Sequence, residues 1–272
     1  MHSVPCRHGA VTPEELLFTD KAGKRLPLHD VIYDGLDEDY SARHGELARL
    51  IETGTPDQRL DAATMLASWG VPAGFAAIMT WARDPEKVPW AGDPVSVDRF
   101  SGADSAWELL ADTVRISGEI DHRSADSDAA RDRATKAMLG IYDRRSFGRS
   151  LMTVFDLDRP LAGRVAKEIG AAVDRTVAAV KDMTEFDLAT QAAWLIGGLA
   201  MVDDEHAAMA SQALIKAHAG SRDRTRMFKE LAYSLGFGTG PYTKAVLEAL
   251  AGAPGDGVQA EAREALGRRG NA

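Results

Sequence analysis

The sequence predicts an all-α fold, and three observations carry that prediction. Ala-rich stretches with apolar residues at helical spacing recur along the 272-residue chain, alternating β-branched runs are scarce, and aspartate, threonine and proline stand where helices would start. The clearest stretch is Asp187 to Gly198, where Leu188, Ala192, Leu195, Ile196 and Leu199 share one face that must be buried. Asp223 to Gly236 repeats the pattern with Met227, Phe228, Leu231, Ala232 and Leu235, and Asp256 to Gly267 with Val258, Ala262, Ala265 and Leu266. In each, the aspartate is expected to cap the first turn and the glycine to end the helix in the left-handed conformation.

Taken in order, residues 1–40 stand apart. Leu16 to Tyr33 has two short apolar runs around Lys21-Ala-Gly-Lys24, expected to form a small hairpin or an irregular arm. Tyr33 to Tyr40 is an acidic patch between tyrosines, either a solvated linker or a contact for a basic partner. Ser41 is expected to cap a helix through Thr53, Thr55-Pro56 to start a second, and Val71-Pro72 a third running to Arg83. The rhythm then breaks over 84–102, which holds Pro85, Pro89 and Pro94 and no helical period. Trp90 and Phe100 set among carboxylates predict an ordered loop that either plugs onto the core or presents aromatic anchors.

A helix follows from Ala103 to about Ser117, then a polar break to Asp128 that lacks the glycine and distal glutamate of a calcium loop. Asp128 to Gly140 returns to the Ala-rich pattern, as Pro56 to Gly70 does upstream. Arg159-Pro160 is expected to open one long helix to about Asp182, bent at Gly170. The closing glycines, at 70, 140, 197, 236 and 267, are separated by 70, 57, 39 and 31 residues. Only the last two intervals fall near the ~30–47 residues of helical repeat arrays.

Asp-led, Ala-rich helices closing on glycine and alternating with a partner helix resemble the HEAT-like α-helical repeat family, over roughly residues 41–269. The resemblance implies a curved right-handed superhelix of antiparallel helix pairs. It would be one repeat domain, 41–269, interrupted by the loop at 84–102 and preceded by an N-terminal arm or cap, 1–40.

Composition narrows the function. The net charge of −9 is uneven: −11 over residues 1–128 and +2 over 129–272. The acidic half would steer toward a basic partner and away from phosphate backbones, or simply keep the protein soluble. The first residues lack the apolar segment of a signal peptide and no stretch spans a membrane, so a cytoplasmic location is expected. Cys6 alone forms no disulfide framework.

No catalytic signature stands out: there is no Gly-x-Ser-x-Gly, His-Glu-x-x-His, phosphate loop or Cys-x-x-Cys. Gly236, Gly238 and Gly240 are expected to form a turn after a helix rather than a nucleotide loop. His2, Cys6 and His8, and Asp203 with His206, are weak metal patterns, so no metal or cofactor is expected. Trp69, Trp81 and Trp194 lie on apolar faces and are expected in the core.

The function expected first is a non-enzymatic protein-interaction module, of an inhibitor or immunity type, that sequesters a basic partner. Its contact residues would be Asp37, Glu38, Asp39, Trp90, Asp93, Asp98 and Phe100. The alternative comes from the resemblance, because some HEAT-like proteins are DNA glycosylases that excise alkylated bases with tryptophans and an aspartate. That implies Trp107 and Asp112 at the chemistry, although five residues apart rather than one turn. Arg144, Arg145, Arg149, Arg222, Arg224, Arg226 and Lys229 would then hold the phosphates.

Overall fold

Thr12 accepts a hydrogen bond from the Glu15 N–H while Glu15 reaches back to the Thr12 N–H, and this capping box with Pro13 starts α1, Pro13–Phe18. Leu28, Val31, Ile32 and Leu36 are spaced for one helical face and form α2, Leu28–Asp37, with Val31 and Ile32 buried. The two apolar runs are therefore short helices rather than strands or an irregular arm. Of the hairpin only a single antiparallel bridge, Thr19 to Arg25, is present between them. The computed structural model describes residues 11–96, 104–121, 123–181, 186–218, 224–252 and 256–269, and not the side chains of Arg224 and Asp256.

A 3-10 turn, Ser41–Arg43, leads into α3, His44–Thr53. Ser41 does not cap that helix; its N–H is held by the Asp39 carboxylate at 2.9 Å. Thr55 and Gln58 form a second capping box for α4, Pro56–Ser68, whose residues from Ala62 to Ser68 are all buried. Then come α5, Pro72–Arg83, and α6, Ala106–Gly118. Ser124 caps α7, Ala125–Leu139, three residues earlier than the expected start at Asp128. α8 is Ser150–Leu157.

The long helix expected after Arg159 is two, α9, Arg159–Arg164, and α10, Ala166–Ala179, divided at Val165 rather than bent at Gly170. Gly170 serves packing instead, because a Cβ there would meet the His206 ring at 3.0 Å. α11, Leu188–Ala200, is capped by Asp187 as expected. α12, Asp204–His218, α13, Arg224–Leu235, α14, Pro241–Gly252, and α15, Asp256–Arg269, complete the chain.

These helices pack in two rows. α4, α6, α8, α11, α13 and α15 each contact the next in that order, and so do α5, α7, α10, α12 and α14. One apolar cluster extends from Leu60 to Ala265, and a second joins α1, α2 and α3 to α4 and Ile116. Beside the second row, Asp132 and Lys136 of α7 pair with Arg164 of α9 and Glu168 of α10, Asp143 in the turn after α7 with Arg175 of α10, and Asp174 of α10 with His206 of α12, each over an offset of 32 residues.

Gly70, Gly140 and Gly236 stand at the ends of α4, α7 and α13 as expected, but the others do not. Gly197 and Gly198 are inside α11, Gly267 is inside α15, and of the five closing glycines only Gly70 has a left-handed φ, +69°. A Cβ at Gly197 would come within 2.5 Å of the Ser234 Cβ, and one at Gly198 within 2.9 Å of Phe155. Their missing side chains let α13 and α8 approach α11 closely.

Two clefts as candidate functional sites

The loop after α5 is held down by its tryptophan. Trp90 is 1% exposed, stacks edge-on to Trp81 at 5.0 Å, and donates its indole N–H to Asp104 at 2.9 Å. Asp104 also accepts the Ala106 N–H at 2.9 Å, near the start of α6. Trp90 is thus a core residue and offers no contact surface. Asp93 is exposed, and Asp98 and Phe100 lie outside the described residues. Trp81 and Trp194 do pack as helical residues, although Trp69 and Trp194 are only partly buried.

Of the acidic patch, Glu38 pairs with Lys21 at 3.0 Å and Asp39 holds Ser41, so both are engaged within the N-terminal segment. Asp37 is different. Asp30, Tyr33, Asp34 and Asp37 stand at i, i+3, i+4 and i+7 on α2 and line one wall of a groove of about 800 Å³. Glu119, Ile120 and Asp121, in the turn after α6, line the other, with Leu26 and Leu36 contributing apolar surface. Arg115 ties the walls together, donating to the Tyr33 hydroxyl at 3.0 Å, to Glu119 at 2.7 Å and to Asp112 at 2.7 Å. Tyr40 donates to Asp34, and burial with that hydrogen bond pushes the Tyr40 phenol up to about 12. Five carboxylates thus surround this groove, and Asp37 and Asp121 form no ion pair with a described residue.

A second cleft, of about 670 Å³, opens between α6, the turn before α8, α11 and the start of α13. Its floor is set by Gln191, which is buried and accepts the Phe147 N–H at 2.7 Å while donating to the Tyr142 and Arg145 carbonyls at 2.6 and 2.9 Å. Gly148, at φ +50°, passes so close to Glu108 that a Cβ would meet its carboxyl at 2.8 Å. Ser146 donates to that carboxyl at 2.9 Å. Arg149 pairs with Glu230, which also accepts the Trp194 indole N–H at 2.8 Å.

The tryptophan and the aspartate implied for base excision are both engaged within the fold. Trp107 is 0% exposed, beside Phe147 at 6.0 Å, and Asp112 is bound to Arg115 on its own helix. Three of the cations have a carboxylate partner: Arg145 pairs with Glu86 at 2.6 Å, Arg149 with Glu230, and Arg226 lies 3.9 Å from Asp187. Arg144 and Lys229 form no ion pair with a described residue, while Arg222 and the Arg224 side chain lie outside those described.

His2, Cys6 and His8 also lie outside the described residues. His206 bonds Asp174 at 2.7 Å and Asp203 accepts the His206 N–H at 3.1 Å, so both serve helix packing and capping. Among the described residues no group of three or more His, Cys, Asp and Glu side chains could hold a metal ion. No described helix is long and apolar enough to cross a membrane. The chain matches no protein-family model, no curated protein and no solved structure.

Proposed function

We propose that the protein is a non-enzymatic helical-repeat interaction module that captures a basic protein partner in the acidic groove between α2 and the turn after α6. The observation that carries this is the juxtaposition of Asp30, Asp34 and Asp37 with Glu119 and Asp121 around an apolar floor. Desolvating one carboxylate for no partner would be costly, but a wall of exposed ones attracts and orients cationic side chains before contact. Leu26, Leu36 and Ile120 then supply apolar area for the stems or apolar face of the same segment.

The two rows of helices and the constant 32-residue pairing offset support a HEAT-like curved array as its frame. The buried Trp107 and the engaged arginines favour binding over base excision.

The test is capture from a lysate on the immobilised protein, eluted with a salt gradient. A stoichiometric basic protein is expected, released by salt and no longer retained by the double variant Asp37→Lys, Asp121→Lys. Unchanged capture by that variant would sink the assignment, and retention of nucleic acid dependent on Arg144 and Lys229 would replace it.

A further inference from the structure

Arg131, whose side chain is only 1% exposed, lines a cavity of about 270 Å³ between the end of α6, α7 and the end of α8. Its Nε and Nη2 donate to the Val114 carbonyl at 2.9 and 2.7 Å, Nε also to the Ser117 hydroxyl at 3.1 Å, and Nη1 to Asp158. A guanidinium carries five N–H groups. These bonds engage every nitrogen but leave one N–H on Nη1 and one on Nη2 without a partner among the described residues. Gly118 keeps that edge open. Its φ is not left-handed, so the backbone does not call for glycine, but a Cβ there would stand 2.9 Å from Arg131 Nη2.

Arg115 lines the same cavity. It donates through Nε and Nη2 to Asp112, through Nη2 to Tyr33 and through Nη1 to Glu119, which leaves one N–H on Nη1. The two carboxylates of the lining are already paired, Glu119 with Arg115 and Asp158 with Arg131, and the second Asp158 oxygen accepts the Leu161 N–H. Val154 and Leu157 supply apolar surface, and Leu157, 67% exposed, marks where the cavity reaches solvent. Burial holds the Arg131 guanidinium below its usual range despite Asp158. One carboxylate thus does not offset what the cation lost on leaving water, and a second anion beside it is favoured.

We propose that this cavity binds a small carboxylate bearing a short alkyl group, its oxygens held by Arg131 and Arg115 and its chain against Val154 and Leu157. Guanidiniums present donors in the planar geometry that matches a carboxylate. The volume of about 270 Å³ is room for roughly nine groups the size of a water, which suits an acid of about six carbons. The group would come either from a free short-chain acid or from the C-terminal carboxylate of a polypeptide that ends in an aliphatic residue. The cavity shares only Glu119 with the lining of the acidic groove and needs no partner bound there.

NMR titration of the full chain with hexanoate tests this, with hexanamide as the neutral isostere, hexylammonium as the opposite charge and inorganic phosphate as an anion without a chain. Saturable shifts centred on the Gly118, Leu157 and Asp158 amides are expected, with a dissociation constant of about 0.1–1 mM for a ligand of this size. The other three should bind about tenfold more weakly or not at all. Affinity should rise about tenfold from butyrate to hexanoate, through the added buried methylenes, and fall again at decanoate, which outgrows the cavity. Arg115→Gln should weaken binding by about tenfold or more, the usual effect of losing a charged hydrogen-bond partner. Leu157→Ala, at an exposed position, should weaken it about threefold and leave the fold intact. Glu119→Gln should instead tighten binding, because it frees Arg115 and removes a like charge, and a merely structural role would not move affinity in that direction. Asp37→Lys with Asp121→Lys should leave affinity within about twofold at physiological salt, which separates this site from the proposed partner groove.

Equal binding of hexanamide, affinity that keeps rising to decanoate, shifts centred elsewhere, or no saturation up to about 10 mM hexanoate would overturn the proposal, as would unaltered affinity in both the Arg115 and Leu157 variants. The peptide acetyl-Gly-Leu distinguishes the sources. Binding as tight as hexanoate assigns the cavity to a polypeptide C-terminus, and exclusion of the peptide with retention of hexanoate assigns it to a free acid.

Discussion

Asp61 lies partly buried on α4, in a cleft that also holds Asp57, and burial reinforced by that neighbour raises its carboxyl from 3.8 to about 6. Because the folded chain holds this proton more tightly than the unfolded one, the contribution of Asp61 to stability is most favourable below about pH 4, falls as pH rises to about 6, and then stays level. Asp61→Asn should therefore stabilise the protein on the order of 1–2 kcal/mol at pH 8 and have little effect at pH 3.5. Urea unfolding at the two pH values checks this, and an equal effect at both would show that the charge is not the cause. Arg131 is the opposite case, a buried cation that is satisfied. It donates to Val114 O at 2.9 Å and to Asp158 at 2.5 Å, tying α6 and α7 to the start of α9. Asp158→Ala leaves that guanidinium uncompensated and should cost about 3–5 kcal/mol, whereas replacing Arg131 and Asp158 together by apolar residues should cost much less. A double-mutant cycle in urea measures the difference.

The helices themselves are set by local signals that work at the start and by tertiary contacts that work in the middle. Threonine with proline or glutamate at the right offset started α1 and α4, and Asp187 capped α11. Gly197 and Gly267 look alike in sequence, each near the end of an Ala-rich helix, but a Cβ meets Ser234 at the first and nothing within 4 Å at the second. Gly267→Ala should raise stability by about 0.5–1 kcal/mol through helix propensity alone. Gly197→Ala gains the same propensity but must push α13 away, and should lower stability by about 1–3 kcal/mol. Thermal unfolding of the two variants is the measurement, and a shared sign would contradict the close approach of α11 and α13.

Charge acts over the whole molecule. The acidic excess of residues 1–128 concentrates at the groove where Asp37 and Asp121 lack ion-pair partners among the described residues. Reversing both should slow association with a basic partner by about tenfold or more at low salt, and the difference should shrink as salt screens the field. Stopped-flow association rates at two ionic strengths test this; an effect confined to dissociation would indicate a short-range contact instead. The same scale shows a regular spacing of ion pairs. Asp132–Arg164, Asp143–Arg175 and Asp174–His206 keep one offset while the glycine spacing does not, because the glycines answer separate packing demands.

By itself the sequence determined the all-α class, the starts of α4, α5 and α11, and the burial of the faces around Leu195 and Leu231, since periodicity and caps act within a few residues. It also placed Asp37 among the exposed acids and showed the imbalance of charge. Only the tertiary structure decided that Trp90 is core rather than anchor, that Gly197 is a spacer, and that Asp37 faces Asp121 while Glu38 and Asp39 are engaged elsewhere. Asp39 is engaged locally, by Ser41, but the other outcomes depend on a partner 14 or more residues away, or on a helix face no local pattern orients, and distances across the fold are not written in local periodicity.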